Sequence, residues 1–401
     1  MLNVLFITPF ALPNPTTKGG AVENLIQMLI DQNEETKMHN FSICTVWDEE
    51  AEKVARKYKK CEYLFLKYND AYRWIDNRIS MMLSILGKKN PAGWRLVWKI
   101  ISAIYVKKIL KKNEYDCVVV ENSPFFLRLF KDKEVNKKYN NKLFFHIHND
   151  YRNLYGTSDV LKYCKSIITI SNYIKNSIEE QSGMKLCNAI NLYNCANSKM
   201  FNKDNYNRGE IRERLRLEDD DIAVVFSGRL TKEKGFLEAI KAISEIDDEK
   251  IKLLLIGGYF YKDEIRNPYQ EDIVNYKNIL GDRLIVTGYV DYIDIPQYYC
   301  ASDIALVPSL WNEPACMSLI ESMKMGLPFV TTNVGGIPEY ADSKGGFILE
   351  KNDCLVENIR NSILKLTKDK ELRTKMGRYN EEKYKEYDEK SYYRKFCNII
   401  S

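Results

Sequence analysis

A chain of 401 residues with 45% hydrophobic and 29% charged positions, and only 19 Gly and 11 Pro, is a packed globular protein of about two domains. Disordered, collagen-like and low-complexity classes are excluded. The net charge of +5 conceals an asymmetry, because residues 1–200 carry 30 Lys and Arg against 20 Asp and Glu, while residues 201–401 carry 30 against 35. Nothing approaches the ~18 uninterrupted apolar residues of a membrane span. The first Lys is residue 18, so Met1 to Phe10 lacks the basic start of a signal peptide. Ten Cys without a CxxC pair read as reduced thiols filling core positions, not as a disulfide frame or zinc site. The expected compartment is the cytosol.

In chain order, VLFIT (4–8), FSICTV (41–46), CVVVE (117–121), KLFFHI (142–147) and SIITI (166–170) are apolar runs of strand length. Such runs suit parallel strands covered on both faces. Helical patterns over 21–33 and 171–183 lie among them, the second with Ser171 as an expected cap, and Ser123-Pro124 opens another helix. A second series follows, with strands at 223–227, 252–257, 284–288, 303–308 and 329–332 and helices at 234–245, 294–301 and 315–325. The Asn-rich, aperiodic stretch 191–209 marks the linker. The pattern predicts an α/β fold of two Rossmann-like, doubly wound domains facing each other across a cleft, over 1–197 and 198–380. A terminal helix over 381–401 is expected to pack back on the first domain.

Residues 70–112 hold ten Lys or Arg, two Asp, and Trp74, Trp94 and Trp98. Cations meet anionic headgroups while aromatic groups enter the interface, so an anionic membrane surface is one expected partner. An ordinary pair of helices with solvated Lys is the other reading. No recognition motif accompanies the charge, so nucleic acid is not expected.

Ligands of doubly wound sheets bind beyond the carboxyl ends of the strands, where helix N-termini offer free N–H groups. Gly19-Gly20 after the first strand lets the backbone approach a ligand, but it is not the GxGxxG fingerprint of dinucleotide binding. In FSGRLTKEKG (226–235) a buried strand ends at Gly228, and Arg229 and Lys234 flank the next helix as a candidate diphosphate site. In 308–339, Glu313 precedes Pro314 and a helix carrying Glu321. Eight helical residues rise roughly 12 Å, so these carboxylates are expected at opposite ends of a nucleotide-sugar. Asp219-Asp220-Asp221 contains a formal Asp-x-Asp, but it precedes a strand and reads as a solvated acidic turn; no metal is expected.

Glu313 and Glu321, followed by Gly335, Gly336, Pro338 and Glu339, closely resemble the Glu-x7-Glu and GG-x-P-E motifs of retaining GT-B glycosyltransferases of family 4. The resemblance extends through GRLTKEKG (228–235), residues 287–309, NCANSKMF (194–201) and the opening FITPF…KGGAVENL, and is weakest over 50–115. It implies that Arg229 and Lys234 bind and stabilise the donor diphosphate, that Glu321 holds the ribose hydroxyls and that Glu313 contacts the transferred sugar. Backbone groups near Ala315, Cys316 and Met317 would meet phosphates and sugar, and Tyr289-Val290 would face the base. His148 at a strand end resembles the family's histidine near the anomeric centre, with His146 the lesser candidate. The chain departs from the family at Ala315-Cys316, where relatives carry Phe-Gly, which leaves the sugar open.

The expected activity is transfer of a hexosyl group, with a UDP-sugar favoured as donor, to a hydroxyl of a glycan, lipid-linked or protein acceptor in surface polysaccharide or glycoconjugate assembly. Alternatives are a nucleotide-sugar epimerase on the same fold or a catalytically silent subunit of a transferase complex.

Overall fold

The computed structural model of the chain describes residues 1–87, 95–151, 153–258 and 269–401. Trp94, Lys88 and Lys89 of the basic stretch lie outside the described residues. The continuous apolar runs form parallel strands with helices between them. The order is β1 (Asn3–Ile7), α1 (Ala21–Thr36), β2 (Asn40–Val46), α2 (Glu49–Ala55), β3 (Cys61–Leu66), α3 (Asp70–Ile85), α4 (Leu96–Lys112), β4 (Cys117–Glu121), α5 (Pro124–Leu127), α6 (Lys133–Tyr139), β5 (Leu143–Ile147), β6 (Cys164–Thr169), α7 (Asn172–Ser182) and β7 (Ala189–Asn191). There follow α8 (Arg208–Arg214), β8 (Ile222–Ser227), α9 (Phe236–Ser244), β9 (Ile251–Ile256), α10 (Gln270–Leu280), β10 (Leu284–Gly288), α11 (Ile295–Ala301), β11 (Ile304–Val307), α12 (Met317–Lys324), β12 (Phe329–Thr332), α13 (Ile337–Tyr340), β13 (Gly346–Leu349), α14 (Leu355–Lys368), α15 (Lys370–Lys383) and α16 (Glu389–Ile400).

Two units divide the chain. The first comprises Met1–Ile170, Ile174–Tyr193 and Tyr393–Ser401; the second comprises Ser171–Tyr173 and Asn194–Tyr392. In the first, seven parallel strands run in the order β3-β2-β1-β4-β5-β6-β7. β1, β4 and β5 are buried along nearly their whole length, as strands covered on both faces must be. Phe6 of β1 stacks on Phe396 at 5.6 Å, and the Tyr393 hydroxyl donates to Asn33 Oδ1 at 2.7 Å, which holds the last residues of the chain in this unit. In the second unit six parallel strands run β10-β9-β8-β11-β12-β13. Its core joins Leu253 and Leu255 of β9, Ile240 and Ile243 of α9, and Ile359 and Ile363 of α14. Each such side chain contributes about 1.5–3 kcal/mol on full burial. Strand order reverses beside β1 and β8, so the loops after β1, β4, β8 and β11 lie at the switch points.

Three strands escape the apolar-run pattern: β3, β7 and β13, all at sheet edges. An edge strand has one free side and tolerates polar or short sequence, as CEYLFL and AIN show. All ten cysteines are free thiols, but Cys187 and Cys354 are exposed, against the expectation that they fill the core. Among the described residues no helix is long and apolar enough to cross a membrane.

Candidate functional site

In the second unit, β8 and β11 are neighbours, and the loops that follow them converge. Gly235, with φ +73, begins α9 so close to the loop after β11 that a Cβ there would lie 1.9 Å from the Pro308 carbonyl oxygen. This approach brings Lys234 to the second loop. Its ammonium meets Glu313 Oε1 at 2.6 Å, and the Ser309 hydroxyl donates to the same oxygen at 2.7 Å. Glu313 is buried, so its charge rests on these two partners. Arg229 is mostly exposed and only loosely paired, 3.7 Å from Glu233.

The helix expected over 315–325 runs from Met317 to Lys324, two residues later at its start, and Glu313 lies in the loop before it. The Glu313 carbonyl accepts from Gly336 N at 2.6 Å, and a Cβ on Gly335 would lie 2.3 Å from that carbonyl oxygen. Pro314 disfavours helical backbone at Glu313 before it, the chain bends at Pro314, Cys316 is extended, and α12 starts at Met317. The helical rise reckoned from Glu313 to Glu321 therefore applies only from Met317 onward. Cys316 is buried at the N-terminal end of α12, and burial, with Glu313 nearby, pushes its thiol up to about 11. Ala315 and Met317 beside it are half-buried.

Glu321 lies on α12, buried, and accepts from the Tyr292 hydroxyl at 2.8 Å. Burial raises its carboxyl to about 8, against the hydrogen bonds of Tyr292 and Tyr299. Tyr289 and Val290 are half-buried in the loop after β10, and Gly228 directly follows β8 with its N–H on Ile256 O at 3.0 Å. Glu339 accepts from the backbone N–H groups of Asn172 and Tyr173 at 2.7 and 2.8 Å, while the Ser171 hydroxyl donates to the Pro314 carbonyl. The acidic turn is solvated only in part: Asp219 and Asp220 are exposed, Asp220 pairing with Lys250 at 2.8 Å, whereas Asp221 is buried and accepts from Glu218 N.

In the first unit, β4 and β5 pair so that Glu121 stands opposite His146. The Glu121 carboxylate takes Nδ1 of His146 at 3.2 Å and Nε2 of His148 at 3.1 Å, and the two rings stand 4.0 Å apart. All three are buried. Burial alone would raise Glu121, but the imidazoles of His146 and then His148 hold it down to about 2. Burial, with His146 adding, pulls His148 down to about 4 despite Glu121. The state consistent with both is an ionised carboxylate beside a neutral His148 protonated on Nε2. Its Nδ1 is then a buried acceptor with no hydrogen-bond partner among the described residues.

The same three side chains place metal-capable atoms within 4.8 Å of one another. Metal-bound histidines normally donate their second N–H to a partner, yet His146 Nε2 and His148 Nδ1 have none among the described residues. The cluster fits a hydrogen-bonded network better than a metal centre. Nearby, Gly19 and Gly20 hold φ of +71° and +106° ahead of α1, and the carboxyl of Glu23 folds back so far that a Cβ on Gly20 would lie 2.2 Å from it. Burial, with Glu121 adding, raises Glu23 to about 7, against a hydrogen bond to its own N–H.

Sequence reasoning singled out Lys234, Glu313, Glu321, His146 and His148. It missed Glu121, Tyr292 and Ser309. The available signal for Glu121 was an acidic residue closing an otherwise apolar strand, next to a strand that ends in His-x-His.

Residues 207–383 match the model of the family "Glycosyl transferases group 1". Spore coat protein SA of Bacillus subtilis is 27% identical over 287 residues, which cover 68% of this chain and 74% of the relative. The UDP-Gal:alpha-D-GlcNAc-diphosphoundecaprenol alpha-1,3-galactosyltransferase of Escherichia coli is 30% identical over 174 residues, 41% of this chain and 42% of the relative. The crystal structure of Anabaena HepE in complex with UDP superposes with a TM-score of 0.74 at 15% identity, over 100% of this chain and 99% of that one. The likeness is one of fold: the two Rossmann-like sheets are those of GT-B proteins.

Proposed function

Taking as premise that the chain is a glycosyltransferase, as its family match and relatives identify it, we propose that it moves a hexosyl group from a UDP-sugar to an acceptor hydroxyl with retention of configuration. The observation that carries this reading is the Lys234–Glu313 ion pair at the loop leading into α12, with Glu321 buried farther along that helix. The diphosphate would bind at the N-terminus of α12 near Cys316 and Met317, where free N–H groups and the helix dipole favour an anion. Lys234 would turn from Glu313 to the phosphate oxygens and Arg229 would join it. Glu321 would accept from the ribose hydroxyls, Tyr289 and Val290 would flank the base, and Glu313 would face the sugar.

In the reaction, the bond from the anomeric carbon to the diphosphate oxygen breaks, and a bond to the acceptor oxygen forms on the same face. The acceptor proton passes to the departing phosphate. Arg229 and Lys234 would neutralise its growing charge, so no metal is required of this mechanism. His148, through its unpartnered Nδ1, would accept from a substrate hydroxyl that reaches into its buried site. The relatives' names support a UDP-sugar donor and a role in surface glycan assembly. Peripheral contact with the anionic inner face of the plasma membrane through 70–112 belongs to the same reading.

The test is mass spectrometry of products from a panel of nucleotide sugars, with NMR of the new anomeric proton. Transfer from a UDP-hexose with an unchanged anomeric configuration is expected. Inversion would overturn the retaining mechanism, and no binding of any nucleoside diphosphate would overturn the site.

A further inference from the structure

A cavity of about 770 Å³ lies in the first unit at the carboxyl ends of β1, β2 and β3, walled on one side by α3 and α4. Lys18, Lys67, Arg73 and Arg95 line it, with Asp48, Asp70 and Asp76. The acids are largely committed elsewhere. Asp48 pairs with Lys18 and caps α2 through Glu50 N and Ala51 N. Asp76 is buried and takes the N–H groups of Val97 and Trp98 at 2.8 and 3.1 Å, together with the Tyr68 hydroxyl. Asp70 is exposed and stands 3.9 Å from Arg73. Lys67, which sits over the Trp47 ring, and Arg95 have no carboxylate partner among the described residues. The cavity thus has spare positive charge, and it is shaped for an anion that brings its own ligand oxygens.

α3 half-buries Ile79 and Leu83 but leaves a second apolar arc exposed. At about 100° per residue, Asp70, Arg73, Asp76, Asn77 and Ser80 share the arc that faces the cavity, and Trp74, Ile75, Met81, Met82 and Ile85 share another centred roughly 120° away. A helix of a globular protein turns its apolar arc inward. Here this second arc faces outward, with Trp74 61%, Met82 62% and Ile85 77% exposed. On α4, Ile100 and Ile104 are exposed as well, and Arg78 lies over the Trp74 ring. Such a face buries its side chains in an acyl boundary while its cations meet headgroups. A second copy of the chain is a poorer occupant, because a two-fold contact would set these cations against themselves.

Resting on the glycosyltransferase reading, we propose that the acceptor is a lipid-linked phosphate, its charged headgroup seated in this cavity beside Lys67, Arg73 and Arg95 and its hydrocarbon in the bilayer touched by the outer face of α3 and α4. One helix would then do both tasks, reading the headgroup with one arc and entering the membrane with the other. The lysines at the far end of α4 play less part than their number promised, since Lys107 and Lys111 are ion-paired with Asp132 and Glu134.

The test uses the full chain and sedimentation with three vesicle types: neutral phosphatidylcholine, phosphatidylcholine with phosphatidylglycerol, and phosphatidylcholine with a polyprenyl diphosphate at matched charge. Binding should be tighter to the diphosphate vesicles than to the phosphatidylglycerol vesicles by about tenfold or more, the scale of one charge-assisted contact. Arg73→Gln with Arg95→Gln should erase that preference. Trp74→Ser with Ile85→Ser, both at exposed positions that do not threaten folding, should release the protein from both anionic vesicles. Equal binding to the two anionic vesicles, unchanged in the Arg variant, would overturn the headgroup site. Dimerisation in light scattering without vesicle binding would assign the apolar face to a second copy and overturn the membrane contact. Calorimetry with UDP is the separate readout: intact UDP binding with no vesicle preference refutes this inference alone, whereas absent UDP binding refutes the donor site.

Discussion

Glu321→Gln separates two consequences of burying one carboxyl. Burial raises Glu321 from 4.5 to about 8, against the hydrogen bonds of Tyr292 and Tyr299. In the unfolded chain it titrates as an ordinary Glu, near ~4.3. Between those two values the folded protein holds a proton that the unfolded chain has shed. The stability this contributes is complete below the unfolded value, and it is lost as pH rises through about 8. The span from 4.5 to about 8 sets a ceiling of about 5 kcal/mol. Relaxation and polar screening around the carboxylate bring it to roughly 2–3 kcal/mol. Glutamine keeps the shape and does not titrate. The variant and the wild type should therefore melt close together near pH 5, and the variant should gain roughly 4–12 °C over the wild type by pH 9, at ~2–4 °C per kcal/mol for a unit of this size. Other titrating groups are common to both proteins and cancel in the difference. Calorimetry with UDP at pH 9, above the raised value of about 8 where the wild-type side chain is a carboxylate, should move the opposite way, with the variant about tenfold weaker, because a carboxylate accepts from two hydroxyls and an amide offers one oxygen. A melting difference that stays constant from pH 5 to pH 9 would refute the buried, protonated carboxyl.

Lys234→Ala should weaken UDP binding and also lower stability by about 3–5 kcal/mol in urea unfolding, since it strands the buried Glu313 charge. Adding Glu313→Gln should restore most of that stability but not the binding, which tells a lost ligand contact from a lost ion pair. Arg229→Gln should leave unfolding unchanged within about 0.5 kcal/mol, because the side chain is exposed and loosely paired. Its UDP affinity should fall roughly 10- to 150-fold in calorimetry, the range of a charge-assisted contact. Gly20→Ala sets a Cβ 2.2 Å from the Glu23 carboxyl at φ +106 and should cost about 1–3 kcal/mol in urea unfolding.

Much of this was legible in the residues because the buried strands advertise themselves. CVVVE and KLLLI read as strands from composition alone, as do β8, β11 and β5, after which come Lys234, Glu313 and His148. What was not legible depends on pairings between segments. Glu121 matters because β4 and β5 register it against His146, and no local pattern states that register. Tyr292 reaches Glu321 from a loop 29 residues earlier. The separation reckoned from Glu313 to Glu321 assumed helical rise throughout, whereas the Glu313 loop is held by Gly335 and Gly336, which come about twenty residues later and act through close backbone contact. The exposed apolar arc of α3 shows only when its polar arc is seen to line a cavity.

The glycines around Glu313 bear on how this scaffold can acquire a new donor. A Cβ on Gly235, Gly335 or Gly336 would come within 1.9 to 2.3 Å of a backbone carbonyl oxygen, so each of the three is closed to substitution unless main chain moves. They clamp the spine of the site from both sides of the Glu313 loop. Variation must then enter through the side chains that the clamp presents, chiefly Ala315, Cys316 and Met317. A library aimed at altered sugar selectivity would randomise those three and hold the glycines fixed. Changes in preference would come from the size and polarity of a short row of side chains, on a backbone that does not shift to accommodate them.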